Sequence, residues 1–305
     1  MNQFKKQALT IDEQIDLLIR RGMHIGDRAQ ARHHLTHISY YRLRAYWLPF
    51  EQAAASSNEH AFTAGISLAT VLAIYGFDRE LRLLLIDAIE RVEISLRTRL
   101  ANVLGLRYDP FAHEKPEHFS NLDMWKGSRS ELIKEYTHSH EIFAEHYHTK
   151  YPDLPTPPLW VACELMTLGH LSRWLKNLRS HKDRQAIADA YSLDEKVLVS
   201  FAHHLSVVRN HCAHHGRLWN RKFTVKMAIP KKKPQGLCAA FNPTQGRHLY
   251  NTLTMLAYLM DVISPASTWR QRLKKLIQDT PQISVANMGF PSDWEQRAIW
   301  RENIV

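Results

Sequence analysis

Between Ser67 and Gly105 the chain carries its longest helical signal, and this stretch limits what the fold can be. Leu81, Leu85, Ile89, Val92, Leu96 and Val103 recur at steps that place them on one side of a helix. Such a stripe has to be covered by other elements, so a helical bundle is expected around it. Gly76 marks the point where an interruption is expected. Glu90, Glu93 and Arg97 share a face well away from the stripe. In a cleft they could orient a catalytic histidine or arginine. The plainer reading is an i,i+4 ion pair of Glu93 and Arg97 on a solvated face.

Other segments repeat the helical theme. Thr10-Ile-Asp-Glu13 reads as a capping box opening a short helix that carries Ile11, Ile15 and Leu18 and stops at Gly22. A second helix is expected from Asp27, with Leu35 and Ile38 inward. Ser39–Phe50 is dense in aromatics and arginines and is broken before Pro49. Its arginines, Arg42 among them, could hold phosphates while its aromatics stack on bases; alternatively Tyr41, Leu43 and Trp47 simply pack the segment down. Residues 51–66 read as a linker and 106–158 as a polar, weakly periodic stretch. One helix is expected from Thr156 through Glu164 and Leu171 toward Leu178. Glu164 sits among apolar neighbours, as a helix-start carboxylate or as a group facing a cleft. Lys222–Ile229 has the alternation of a strand, Thr252–Ile263 of a core helix and Arg270–Ile277 of a basic helix. The expected organisation is an N-terminal helical region over 1–60, a bundle over 67–278 and a tail over 279–305.

Val207–Arg221, Val-Val-Arg-Asn-His-Cys-Ala-His-His-Gly-Arg-Leu-Trp-Asn-Arg, concentrates the potential chemistry. Ser192-Leu-Asp-Glu195 reads as the capping box that opens its helix, and Gly216 as the residue that closes it with a positive φ. Phe201, Leu205, Val208 and Cys212 mark the buried face. At about 100° per residue, with Arg209 at zero, this face centres near about 260–320°. Asn210 and His214 fall near about 100° and 140°, away from the core, with Arg209 beside them. His215 falls near about 240°, at the core border. The geometry therefore selects Arg209, Asn210 and His214 as a candidate catalytic set.

Composition narrows the partners. The 305 residues carry a net charge of +10, and the isoelectric point is near 9.5, a balance that favours polyanions. Arg42, Arg217, Arg221 and the Lys231–Lys233 run are candidate RNA contacts. Hydrophobic content of 45% and mean hydropathy of -0.37 are ordinary for a water-soluble protein. No run approaches the ~18 apolar residues of a membrane span, and the basic N-terminus lacks a secretory core, so no membrane partner is expected. Cys163, Cys212 and Cys238 show no metal-type spacing, which suits a reducing cytoplasm.

Arg209-Asn-His-Cys-Ala-His214 resembles the Arg-x4–6-His signature of HEPN domains, helical bundles that often act as ribonucleases. The longer run through Leu218-Trp-Asn-Arg221 is similar to the abortive-infection (Abi, AbiD/AbiF-type) phage-resistance family. So are Leu9–Ile15, His37–Leu43 with Tyr46-Trp47, Phe77-Asp-Arg-Glu-Leu81, Pro158-Leu-Trp160 with Glu164, and Met288-Gly-Phe-Pro291, in that order along the chain. The resemblance implies a HEPN-like helical bundle and a metal-independent endoribonuclease of defence or toxin type. It further implies a homodimer that pairs two histidines and two arginines across a dyad, restrained by an antitoxin RNA or protein.

The residue types agree with that chemistry. RNA brings its own nucleophile, the 2′-hydroxyl, so the enzyme has to move protons and stabilise a crowded phosphorane. An imidazole such as His214 does the first and a guanidinium such as Arg209 the second, while Asn210 fixes the phosphate or the imidazole tautomer. Val207, near about 160° on the open face, would be buried by a dimer contact. No cofactor is expected. A metal held by His211 and His215 is a weaker alternative, because no carboxylate or cysteine completes the set. The main rival is a non-catalytic protein that binds RNA or a partner.

Overall fold

The structure is a computed structural model and describes residues 7–52 and 60–301. It is predominantly helical: among the described residues the sole sheet is a pair of two-residue antiparallel strands, β1 (Glu51–Gln52) and β2 (Ala61–Phe62). The chain divides into two compact units, Met1–Arg82 with Lys274–Ser284, and Leu83–Leu273 with Val285–Val305. No described helix is long and apolar enough to cross a membrane.

In the first unit, α1 (Ile11–Arg20) opens on the expected box: Thr10 Oγ1 accepts from the Glu13 amide at 3.3 Å and Glu13 returns a contact to the Thr10 amide at 2.7 Å. Asp27 caps α2 (Arg28–Ile38) through the Ala29 and Gln30 amides, and α3 (Tyr40–Trp47) follows a left-handed Ser39. Leu43 and Trp47 are buried, but Tyr41 is 83% exposed and plays no packing role. The supposed linker instead holds the β1–β2 pair, and Arg21 secures it through Glu51 at 2.7 Å, the His60 carbonyl and the face of Phe62; residues 53–59 of that segment lie outside the described residues.

α4 (Leu68–Arg107) runs 40 residues without a break. Gly76 sits inside it, with open space where a Cβ would stand, and the helix continues through it. Leu81, Leu85, Ile89, Val92 and Leu96 are buried as the stripe predicts, and Val103 is half-buried. In the first unit its Asp78 is fully buried, accepts from the Tyr46 hydroxyl at 2.8 Å and pairs with Arg82 at 2.5 Å. Two motifs far apart in sequence, Tyr46-Trp47 and Phe77-Asp78, thus meet in one buried network.

The second unit contains more helix than the sequence pattern suggests. Residues 106–158 hold α5 (Leu122–His138) and α6 (Ile142–Lys150). The helix expected over 156–178 is two, α7 (Leu159–Leu165) and α8 (Leu168–Asn177), because Met166 turns extended and Thr167 caps a fresh start at the His170 amide. After α9 (His181–Asp189) comes α10 (Glu195–Ala213), packed on α8 and α9. The box expected at Ser192 does not form. Ser192 is left-handed, Glu195 is drawn to Arg184 at 2.6 Å, and Asp194 caps the Lys196 amide instead. Lys222–Ile229 is not a strand: its backbone is satisfied by side chains of α10, with the Val225 carbonyl on His204 and the Ala228 amide on Ser200. α11 (Gln235–Ala240), the buried α12 (Leu249–Ile263), α13 (Trp269–Gln278) and α14 (Ala298–Arg301) complete the helices. Phe290, Trp294 and Trp300 from the C-terminal segment pack around Tyr250 of α12 and one another.

Removing Asp78 leaves the 6%-exposed Arg82 without its buried carboxylate. Asp78→Ala is expected to cost about 3–5 kcal/mol in urea denaturation; a loss under about 1 kcal/mol would show that the network is not a keystone of the first unit.

Candidate active site

α10 turns one face inward, where Phe201, Leu205, Val208 and Cys212 are all buried. It ends at Ala213 in a Schellman arrangement: the His215 amide donates to the Cys212 carbonyl at 3.1 Å and the Gly216 amide to the His211 carbonyl at 2.7 Å. The left-handed residue is His215, with φ of 55°, and not Gly216. A Cβ at position 216 would stand 3.2 Å from both Nδ1 and the carbonyl oxygen of His211, so the glycine answers a close approach. His215 is consequently exposed. Its expected place at the core border assumed a helix that has already ended.

Arg209 is half-buried and lines a cavity of about 410 Å³ with Ala213 and, from α4, Ile86, Ile89, Glu90, Glu93, Ile94 and Arg97. Asn210 is exposed, and its Oδ1 lies 3.5 Å from Arg209 Nη1, the outer limit of a hydrogen bond. His214 is the exposed C-cap residue, its amide donating to the Asn210 carbonyl at 3.0 Å. Neither Asn210 nor His214 lines the cavity; both project from the exposed surface at the same helix end. His211 is half-buried with its ring 5.9 Å from Phe223, and burial, helped by the Arg221 charge, pushes its pKa down.

The opposite wall carries a built ion-pair system. Glu93 and Arg97 form the i,i+4 pair at 2.6 Å, yet their side chains are only 13% and 18% exposed, so the face is a cavity wall and not a solvated one. Arg97 also reaches Glu164 at 3.2 Å and the Met166 carbonyl at 2.8 Å. Glu164 lies at the end of α7, which removes the helix-start reading; its side chain is 50% exposed and pairs with Arg97 without lining this cavity. Burial raises the pKa of Glu93 above its ordinary 4.5, against the opposing pull of Arg97 and Arg209.

The candidate RNA contacts are dispersed. Arg42 belongs to the first unit, its guanidinium 5.8 Å from the Tyr75 ring centre. Arg217 and Arg221 are half-buried in the turn after α10, where the Arg221 Nε donates to the Arg217 carbonyl. Lys231, Lys232 and Lys233 are exposed, and Lys231 lines a cavity different from that of Arg209. Among the described residues no group of three His, Cys, Asp or Glu side chains could hold a metal ion. Ile86 and Ile94 at the cavity and the second contact of Arg97 carry no signal in the sequence pattern. The i,i+4 spacing of Glu93 and Arg97 was the available signal, but their facing Arg209 is a tertiary fact.

A family model described as Abi-like protein matches residues 33–220, a span that includes the whole Arg209–His214 turn. No curated protein and no solved structure matches the chain.

Because its folded-state pKa is raised, Glu93 contributes most to stability while protonated, and that contribution is lost as pH rises through the elevated value. Glu93→Gln is therefore expected to gain on the wild type in denaturant titrations as pH climbs past 4.5. Parallel pH profiles, or a variant that falls behind, would contradict the burial described for this carboxylate.

Proposed function

From the membership of this chain in the Abi-like protein family, a family whose name ties it to abortive infection of phage-infected cells, we propose that it is a metal-independent endoribonuclease of antiphage defence or toxin type. The observation that carries the reading is that one helix end places Arg209 in a concave, charged cleft and, five residues on, His214 on the exposed surface outside it. Arg209 suits phosphate: it lines the cleft beside Glu93 and Arg97, and its guanidinium offers a planar fork to phosphoryl oxygens. His214, exposed at the cap, is free to meet a strand and to exchange a proton with it. Asn210, one turn before, supplies an amide that orients either partner.

One chain offers one such arginine and one such histidine at this helix end. A second copy placed across the open face would bring another pair, which is the HEPN arrangement. Leu83 and Ile94 are 51% and 49% exposed beside the half-buried Ile86, and this apolar strip of α4 supports a homodimer on the cavity side. Val207, half-buried in the structure, contributes less to such a contact than its helix angle suggests.

The test is cleavage of single-stranded RNA in EDTA by the purified protein. His214→Ala and Arg209→Ala are each expected to lower the rate by about a hundredfold or more while the helical circular-dichroism signal stays unchanged. RNA that is retained but never shortened would replace this reading with that of a non-catalytic RNA-binding defence protein.

A further inference from the structure

A second cavity, about 510 Å³ in volume, lies in the same unit and is lined by Lys222, Lys226, Lys231, Arg247 and His248. No aspartate or glutamate lines it. Among the described residues the three lysines and Arg247 make no ion pair or side-chain hydrogen bond. Elsewhere on the chain arginines are mostly neutralised, as at Asp87, Glu93, Glu114, Glu131 and Glu195. Concentrating four uncompensated cations on a concave wall focuses a positive potential that water and salt screen less than on a flat surface.

The walls are held in place independently of any occupant. The 222–231 segment is fastened to α10 at two points: His204 Nδ1 donates to the Val225 carbonyl at 2.7 Å, and Ser200 Oγ accepts from the Ala228 amide at 2.8 Å. Since a carbonyl can only accept, the neutral ring carries its proton on Nδ1, and Nε2 accepts from the Thr252 hydroxyl at 2.7 Å. The Phe223 amide donates to the Arg247 carbonyl at 2.8 Å and ties this segment to the 243–248 loop. Gly289 supports that loop from behind: it has a φ of 85°, and a Cβ there would lie 2.6 Å from His248 Cβ. Its carbonyl accepts from Asn242 Nδ2 at 2.9 Å. Because the backbone of both walls is already anchored, binding an anion has to order only the cationic side chains and not the loops that carry them. Met227 and Ile229 add an apolar wall that suits a sugar or base beside the phosphates.

We propose that this cavity is a binding site for a run of phosphates, carried by an RNA strand or by a nucleoside triphosphate. Apart from Lys231, its cationic residues lie outside the candidate RNA contacts named from the sequence, and the cavity lies beyond the 33–220 family match. It requires binding only and does not rest on the ribonuclease reading.

The experiment measures binding of ATP and of a fully 2′-O-methylated RNA oligomer, which cannot be cut by its own 2′-hydroxyl, to the full chain. Two double variants remove the same charge: Lys222→Gln with Arg247→Gln inside the cavity, and Lys182→Gln with Lys196→Gln outside it. All four positions are exposed, so both variants should fold, which thermal melts verify. The cavity pair is expected to weaken binding by about tenfold or more. It should also make the RNA salt slope shallower by about 1.4, at about 0.7 per lost phosphate contact on a single strand. The outer pair should do neither. Displacement of the RNA by ATP would identify a shared site, and binding of one probe alone would identify the source of the phosphates. Equal losses in the two variants, or binding of neither probe, would overturn the proposal. Cleavage without this binding map refutes the cavity alone; the map without cleavage refutes the ribonuclease alone.

Discussion

Burial of one face of α10 is the constraint on which the candidate site depends. Phe201, Leu205, Val208 and Cys212 are removed from water, mainly against α8 and α9, and this sets the helix rotation. With the rotation set, Arg209 has to point into the α4 cavity and Asn210 and His214 have to stay outside the core. The same helix anchors the basic segment that follows it through His204 and Ser200. A substitution that rolled α10 would disturb both cavities together. The functional residues thus need little positioning of their own.

Arg97 links this helix layer to its neighbours. Its guanidinium joins Glu93 on its own helix to Glu164 and the Met166 carbonyl at the α7–α8 break. The break lets α8 start afresh at Thr167 and lie along α10, so an ion pair at the cavity wall and the packing of the candidate catalytic helix are coupled. A partly buried arginine with several acceptors is worth more in positioning than in net stability, since desolvation offsets much of the attraction.

Local chemistry was legible in the sequence where no distant residue competed. The Thr10–Glu13 box, the Asp27 cap and the α4 stripe are set by neighbours within a turn or by a simple period, and all three are present. Where a distant group competed, the local signal lost: Arg184 takes Glu195 from the Ser192 box, and α10 side chains take the backbone partners of Lys222–Ile229 from any strand. Gly216 does close the helix end, but the left-handed turn falls on His215 and the glycine makes room for His211. The outward placement of Asn210 and His214 followed from helix rotation alone. The Glu93–Arg97 wall opposite Arg209, and the assembly of Lys222, Lys226 and Lys231 with Arg247, depend on tertiary packing, which no spacing in the chain displays.

The proposed chemistry is an attack by the RNA's own 2′-hydroxyl, in which His214 would move the proton and Arg209 would stabilise the phosphorane. Mass spectrometry of the fragments from a single defined RNA tests this most directly, alongside a copy with 2′-deoxy at the cleavage position. The prediction is a 5′ fragment ending in a 2′,3′-cyclic phosphate, a 3′ fragment beginning with a free 5′-hydroxyl, and a deoxy copy that binds but stays intact. Fragments that begin with a 5′-phosphate, or cutting at the deoxy position, would contradict it.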